Sequence, residues 1–294
     1  MQTSILIVSK DRKQELKKTL EILEKSVDYS SCEILVFLDG CIDGSHVLKS
    51  EFPKVFWYES EKSLGASSAR NTLYSYGRGD VFIGLDDDAH PLQSDFVDIV
   101  HTVFNENKNL GIIAFHEIKG VFNSDEEALL QKSTDKIEFL CNSFVGCGFA
   151  IQKEVYESTN GFPIWIDIYG EESCVAIEVL ANNKDILYTN NIVVNHRVNK
   201  QERLNNGRNY YRFGKQLKNT AFYYIVYYRN PVFKLLKLFW HNFTKYALVD
   251  KIYFRTYIRI LGLIIFQSSK VLKHRKPVEA SVLKRVNELN SPVF

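Results

Sequence analysis

The sequence predicts an α/β protein with a doubly wound sheet, followed by a basic, aromatic-rich helical region. Three observations predict it. Short apolar runs alternate with helical periodicity in the order β-α-β-α-β over the first 85 residues. The run Val81-Phe82-Ile83-Gly84-Leu85 ends on three consecutive carboxylates, Asp86-Asp87-Asp88, at the C-terminal edge where open α/β sheets bind ligands. The charge is also divided: residues 1–199 carry 18 Lys+Arg against 31 Asp+Glu, whereas residues 200–294 carry 19 against 4.

The elements follow in order. Ser4–Val8 is a continuous apolar strand, central and parallel by its composition, and it ends on the polar turn Ser9-Lys10-Asp11-Arg12. Leu16, Leu20 and Leu23 give residues 14–25 a helical stripe. Glu33–Leu38 is the second strand, stopped by the turn-rich loop Asp39-Gly40-Cys41-Ile42-Asp43-Gly44-Ser45. Val55–Tyr58 is a third strand, and Gly65-Ala66-Ser67-Ser68-Ala69-Arg70-Asn71 opens a helix with small residues where a ligand can approach. After the strand 81–85, Phe96–Phe104 reads as a helix, Leu110–Phe115 as a strand and 119–135 as polar loop. Phe144–Ile151 suits a strand under a binding site. Asn160-Gly161-Phe162-Pro163 is a turn, Gly170-Glu171-Glu172 begins a helix, and Ile186–Tyr188 and Ile192–Val194 read as two short strands, the second ending at Asn195-His196-Arg197.

Composition bounds the function. The hydrophobic content of 45% is ample for a core. The acidic first part argues against DNA or RNA as its main ligand. The basic tail suits phosphates or an anionic membrane surface. Its Lys/Arg-punctuated clusters, such as Tyr223-Tyr224-Ile225-Val226-Tyr227-Tyr228-Arg229 and Phe233–Trp240, read equally as interfacial helices or as a subdomain packed on the rest, with a surface for a second copy of the chain as a third reading. Five cysteines without a Cys-x-x-Cys pattern fit a reducing, cytoplasmic compartment and neither a disulfide framework nor a zinc site. No signal-peptide pattern is visible, and no uncharged apolar run approaches the roughly 20 residues that span a bilayer.

Three adjacent anions repel one another unless solvated or neutralised. A hard divalent cation with oxygen ligands neutralises them, and Mg²⁺ or Mn²⁺ typically also takes oxygens from a diphosphate. A solvated acidic turn is the plain alternative.

Taken together, the motifs resemble the inverting glycosyltransferases of family 2, which have the GT-A fold, a doubly wound, Rossmann-like mixed sheet. The resemblance covers residues 1–200 and divides the chain into a GT-A domain at 1–205 and a helical region at 206–294. The domain would comprise a nucleotide-binding half at about 1–90 and an acceptor half at about 91–205. It implies that Ser9 and Arg12, Asp39, and Ser67, Arg70 and Asn71 of the Gly-x-x-x-Ala-Arg-Asn stretch line the pocket of a nucleotide diphosphate sugar. The Asp-x-Asp signature falls on Asp86, toward the ribose, and Asp88, toward the metal, with Asp87 between them. His196 completes the metal site. Glu171-Glu172 is the acidic pair after the Asn160-Gly161-Phe162 turn, with Glu172 preferred as general base and Glu171 structural or acceptor-orienting. Two departures stand out: one acid is missing before Asp39, and Cys174 stands where a further Asp often follows. Arg197, Lys200 and Arg203 are read either as a lid over the diphosphate or as the solvated start of the tail. The implied reaction transfers a hexose to the hydroxyl of a glycan or other acceptor; the basic, aromatic tail alone adds the expectation of a lipid-linked acceptor, in cell-surface polysaccharide or lipopolysaccharide synthesis at the inner face of the membrane. An inactive GT-A binding module is the first rival, although Asp86, Asp88, Glu172 and His196 are all present. A nucleotidyltransferase is the second, but it would carry a Gly-rich loop after the first strand, and Ser9–Arg12 contains no glycine.

Overall fold

A computed structural model describes residues 1–198 and 209–293. Lys200, Arg203 and the 205/206 boundary lie outside the described residues.

Strands β1 (Thr3–Ser9), β2 (Cys32–Asp39), β3 (Phe56–Ser60) and β4 (Val81–Asp86) are parallel neighbours in the order β3-β2-β1-β4. They are joined by α1 (Lys13–Ser26), α2 (Leu48–Glu51) and α3 (Ala66–Tyr74). Their side chains alternate between the two faces. Ile5, Ile7, Ile34, Val36, Ile83 and Leu85 pack under Leu16, Leu20 and Leu23 of α1 and Phe96, Val100 and Phe104 of α4 (Phe96–Glu106). Leu6, Leu35, Phe37 and Phe82 face the other way, toward Leu73 and Tyr74 of α3. Burying each such side chain contributes about 1.5–3 kcal/mol, so this register is strongly specified.

Beyond β4 the sheet becomes mixed. The tripeptide β5 (Ala89–Pro91) leaves the acidic turn. The order then continues from β4 to β8 (Gly148–Gln152, antiparallel), β6 (Leu110–Lys119), β9 (Asp185–His196) and β5. β7 (Glu138–Leu140) pairs with β9 outside that path.

Three sequence expectations are corrected here. Residues 186–194 form one strand, not two. The polar Thr189-Asn190-Asn191 reads as a break, but the ladder with β6 steps from Phe115↔Thr189 to His116↔Val193 across a bulge. Asn190 holds that bulge through the Ile137 amide (2.9 Å) and the Asp135 carbonyl (2.8 Å), and Gln93 holds it through the Val193 amide (3.0 Å). Within 119–135, α5 (Asp125–Leu129) forms because the Ser124 hydroxyl accepts the Glu127 amide, an N-cap. The strand expected over 144–151 begins only at Gly148, after a turn closed by the Gly148 amide on the Val145 carbonyl at 3.2 Å.

α6 (Lys153–Glu157) and α7 (Glu171–Ala181) cover the second face of the sheet. The tail then forms α8 (Tyr210–Tyr227), α9 (Val232–Asn242), a π-helical turn (Phe243–Ala247), α10 (Lys251–Val271) and α11 (Ala280–Glu288). Phe213, Leu217, Ala221 and Phe222 of α8 pack with Ile166, Cys174 and Ile177 on one side and Tyr257, Ile260 and Ile264 of α10 on the other. Polar ties reinforce that contact. The Tyr227 hydroxyl donates to Glu178 at 2.7 Å, Lys276 pairs with Glu178 at 2.8 Å, and Asn142 donates to the Val286 and Leu289 carbonyls at 3.1 and 2.9 Å. Among the described residues, no helix is long and apolar enough to cross a membrane.

Candidate active site

The acidic turn at the end of β4 sends its three carboxylates in different directions. Asp87 turns inward. It accepts from the Ser9 hydroxyl at 2.7 Å and pairs with Arg12 at 3.0 Å, while its backbone carbonyl accepts from Thr19 at 2.7 Å. Burial pushes its carboxyl up to about 7, against the pull of Arg12. Asp88 takes the other arm of Arg12 at 2.5 Å, and its Oδ1 lies 3.3 Å from His196 Nε2. Burial raises its carboxyl, but the contacts to His196 and Arg12 outweigh that and hold it well below the usual carboxylate range. Asp86 remains the most open of the three, its side chain 31% exposed.

His196 arrives here through strand register. β9 places it opposite Ala89, the residue after Asp88, and opposite Lys119 of β6. Its Nδ1 lies 2.5 Å from Glu117 Oε1, an acid buried in β6 that pairs in turn with Lys119 at 3.1 Å. Burial disfavours the imidazolium, yet Asp88 and Glu117 together raise the ring to about 9. Glu117 escapes the sequence reading because the apolar run ends at Phe115. A charged residue placed two positions further on the same strand was the available signal.

The donor atoms of Asp86, Asp88 and His196 all lie within 4.8 Å of one another. Asp88 Oδ1 is buried and makes no hydrogen bond of good geometry, with His196 Nε2 at 3.3 Å. With His196 Nδ1 held by Glu117, Nε2 is the nitrogen turned to the carboxylates, the usual arrangement of a ligating histidine. Two carboxylates and an imidazole fit a divalent cation.

Arg70 joins this triangle to the acids of α7. Its guanidinium is 2.5 Å from Asp86, 3.2 Å from Glu171 and 3.7 Å from Glu172, and it lies over the Phe162 ring at 5.5 Å. Glu171 is enclosed, and its Oε2 is without a donor; Glu172 is the more open, its side chain 21% exposed. Burial pushes both carboxyls up. Repulsion from Glu172 adds to the rise at Glu171, and Arg70 opposes it at both. α7 starts here because Gly170 takes φ +99° at its N-cap, a region that side chains rarely adopt. Gly146, before β8, makes room. A Cβ there would stand 2.7 Å from Glu172 Oε1 and 2.8 Å from an Arg70 nitrogen. Cys174 does not replace the missing acid; its buried thiol lies 3.5 Å from the Gly170 carbonyl.

The remaining residues bear on the walls of the site. Asp39 accepts from the amides of Leu64 (2.6 Å) and Gly65 (3.1 Å) and from the Ser63 hydroxyl (2.7 Å), so it ties down the loop before α3. Ser67 donates to the Pro163 carbonyl at 2.7 Å and Asn71 to the Phe162 carbonyl at 2.8 Å. Both brace α3 against the turn that leads to α7. Arg197 is corrected as part of a lid. It is buried on the far side of the acidic turn, donating to Glu15 (2.8 Å), Thr19 (2.6 Å) and His90 Nδ1 (2.7 Å). His90 must therefore accept on Nδ1 and donate from Nε2 to Asp125 at 3.0 Å; burial lowers its pKa.

Residues 4–158 match the sequence profile described as "Glycosyl transferase family 2". The chain belongs to that family. No curated protein matches it. Among solved structures, this family 2 chain is similar to GalNAc-T7 with UDP, GalNAc and Mn²⁺ (TM-score 0.54, 15% identity). That match covers 67% of this chain but 43% of the other, so the chain spans less than half of that protein's length. It is also similar to S. aureus TarS 1-349 in complex with UDP-GlcNAc (TM-score 0.60, 12% identity, covering 90% and 81%). The third is the mannosyltransferase PcManGT from Pyrobaculum calidifontis with GDP-Man and Mn²⁺ (TM-score 0.58, 14% identity, covering 97% and 83%). At these identities the likeness concerns the fold. The GT-A architecture read from the sequence is the observed one, mixed sheet and helical tail included.

Proposed function

We propose that this family 2 glycosyltransferase is an inverting, metal-dependent enzyme that moves a hexose from a nucleotide diphosphate sugar to an acceptor hydroxyl. The observation that carries the reading is the continuous cluster from Asp88 and His196 through Asp86 and Arg70 to Glu171 and Glu172. UDP, UDP-GlcNAc and GDP-Man in the similar structures support a nucleotide-bound donor.

Asp86, Asp88 and His196 would hold Mn²⁺ or Mg²⁺, which supplies Lewis-acid stabilisation for the diphosphate leaving group. Ser9, Arg12 and Asp87 keep Asp88 turned toward that position, while Asp39, Ser67 and Asn71 fix the loop and turn that wall the donor pocket. Glu172 takes the proton of the acceptor hydroxyl as its oxygen bonds to the anomeric carbon. The bond from that carbon to the diphosphate oxygen breaks on the opposite face, and the electron pair leaves with the nucleotide diphosphate, so the anomeric centre inverts. Arg70 holds Glu171 and Glu172 near Asp86. Glu171, enclosed against Arg70, orients rather than exchanges protons.

The test is nucleotide diphosphate release from a panel of nucleotide sugars with Mn²⁺, Mg²⁺ or EDTA, for the wild type, Asp88→Ala and Glu172→Gln. Metal-dependent release that both variants lose supports the reading. Donor binding without release under every condition and acceptor tried would instead favour a binding module.

The tail bears on where the enzyme works. On α9, Val232, Phe233, Leu236 and Trp240 are between 62% and 76% exposed, interleaved with Lys234 and Lys237. On α10, Ile258, Ile265 and Phe266 are exposed beside Arg255 and Arg259. The basic charge of the tail complements an anionic lipid surface. We therefore place the enzyme at the inner face of the cell membrane, acting on a lipid-linked acceptor of a cell-surface polysaccharide or lipopolysaccharide. It should float with anionic vesicles at low salt and be released at high salt. A soluble dimer that ignores vesicles would assign these faces to a second copy.

A further inference from the structure

Helix α8 reaches from the tail to the loop that delivers Glu171 and Glu172 to the site. Arg212, Lys215, Lys218 and Asn219 recur along it at helical spacing, so they share one face. That face meets the loop 167–170. Lys215 and Lys218 both pair with the Asp167 carboxylate, the second at 3.4 Å, and the Arg212 guanidinium lies over the Tyr169 ring at 5.1 Å. From the other side, the Ser67 amide of α3 donates to the Asp167 carbonyl at 3.1 Å. The loop is thus held between α3 and the tail.

Asn219 makes the most specific of these contacts. It is 2% exposed, and its amide nitrogen donates to the carbonyls of Ile168 (2.7 Å) and Tyr169 (2.9 Å). Those carbonyls belong to the two peptide planes that flank the Tyr169 α-carbon, so holding both sets φ and ψ of that residue. Tyr169 stands at φ +71°, in the left-handed region that a bulky side chain rarely adopts, and Gly170 follows at +99°. Such a conformation persists only where its surroundings impose it. Here the imposing group is an asparagine 50 positions along the chain. The two left-handed residues turn the backbone into α7, so any change at Tyr169 is passed to Glu172 in the first turn of that helix.

We propose that Asn219 is a positioning residue for the proton transfer: by holding Tyr169 left-handed it sets the start of α7, and with it the place of the Glu172 carboxylate. The role given to Glu172 rests on the transferase reading above. The helical tail thereby becomes part of the active-site apparatus.

The test uses two readouts on the full chain. Hydrogen exchange without nucleotide or metal reads the backbone. Asn219→Leu should speed exchange of the amides at 174–178, the first bonded turn of α7, by about tenfold or more and leave those of β1 and β4 unchanged. Steady-state kinetics read the chemistry: kcat should fall by about ten- to a hundredfold while the donor KM stays within about twofold. A residue needed only for stability would lower the melting temperature and leave the kcat of the folded enzyme unchanged. Adding Tyr169→Gly to Asn219→Leu should raise kcat again by about fivefold or more, because glycine takes the left-handed conformation unaided. Asn219→Ser, whose hydroxyl can bond within its own helix, replaces the leucine variant if circular dichroism shows that the latter does not fold. Unchanged exchange, unchanged kcat, a donor KM that rises as kcat falls, or no recovery with glycine would each overturn the proposal. Glu172→Gln is the reference. If it is inactive and the folded Asn219 variants match wild type, the positioning role alone fails. If it keeps the wild-type kcat, the base assignment itself fails, and the proposal with it.

Discussion

Replacing Arg70 by methionine removes the cation that joins the two halves of the site. The guanidinium side chain is 10% exposed and meets Asp86 at 2.5 Å, Glu171 at 3.2 Å and Glu172 at 3.7 Å. Methionine retains the apolar stem against Phe162, so the main loss is electrostatic. Removing one partner of a buried ion pair costs about 3–5 kcal/mol, because the other charge is left uncompensated. Asp86 is 31% exposed and can be rehydrated, which places the expected loss near the lower end, about 3 kcal/mol. The loss should depend on pH. Burial raises both glutamates above the ordinary carboxylate value and Arg70 opposes the rise, so removing Arg70 raises them further. A group whose folded pKa lies above its unfolded value adds stability that is fully present below the unfolded pKa and is lost as pH rises through the folded one. The variant therefore converges on wild type in acid and falls behind it in base. A deficit of about 3 kcal/mol near about pH 8 should shrink toward about 1 kcal/mol near about pH 5. Urea unfolding followed by the fluorescence of Trp57, Trp165 and Trp240 measures it. A deficit below about 1 kcal/mol at the higher pH, or one that is equal at both, would refute the account of Arg70 as the buried counter-charge.

Gly146→Ala places a methyl group 2.7 Å from Glu172 Oε1 and should lower the turnover rate by up to about a hundredfold, with donor affinity intact; steady-state kinetics beside calorimetric donor binding would show otherwise if the two fell together. Glu117→Gln removes the anion behind His196 Nδ1 and should weaken Mn²⁺ binding by about 10–100-fold, read by metal titration; an unchanged affinity would mean the ring needs no such anchor. The His196 ring, raised to about 9, is a cation at neutral pH and must lose its proton to bind a metal, so Mn²⁺ affinity should climb by about tenfold per pH unit up to about pH 9 and then level off; a flat profile would show that His196 is not a ligand.

Much of the fold is legible in the sequence because it rests on local patterns. The run Ser4-Ile5-Leu6-Ile7-Val8 has to be a strand buried on both faces, and the structure packs Ile5 and Ile7 on one side and Leu6 on the other. The leucines of α1 fall on one stripe whatever the sheet looks like. The asparagines at 190 and 191 mislead for the same reason. Locally they are turn residues, and contacts to Gln93, Asp135, Ile137 and Glu138, distant in sequence, keep them within a continuous strand.

By itself the sequence determined the order of the elements, the placing of Asp86–Asp88, Glu171–Glu172 and His196 at element ends, and the division between an acidic front and a basic tail. Composition and periodicity carry that information residue by residue. Only the tertiary structure decided which way each acid turns. Asp87 faces inward on Ser9, Asp88 meets His196 because β9 sets that histidine opposite Ala89, and Arg70 spans from Asp86 to Glu171. It also turned Arg197 away from the site and supplied Glu117 as the anchor of His196. Most of those outcomes depend on contacts between residues many dozens to more than a hundred positions apart. Strand register and helix packing fix such contacts, and no local period in the chain encodes them.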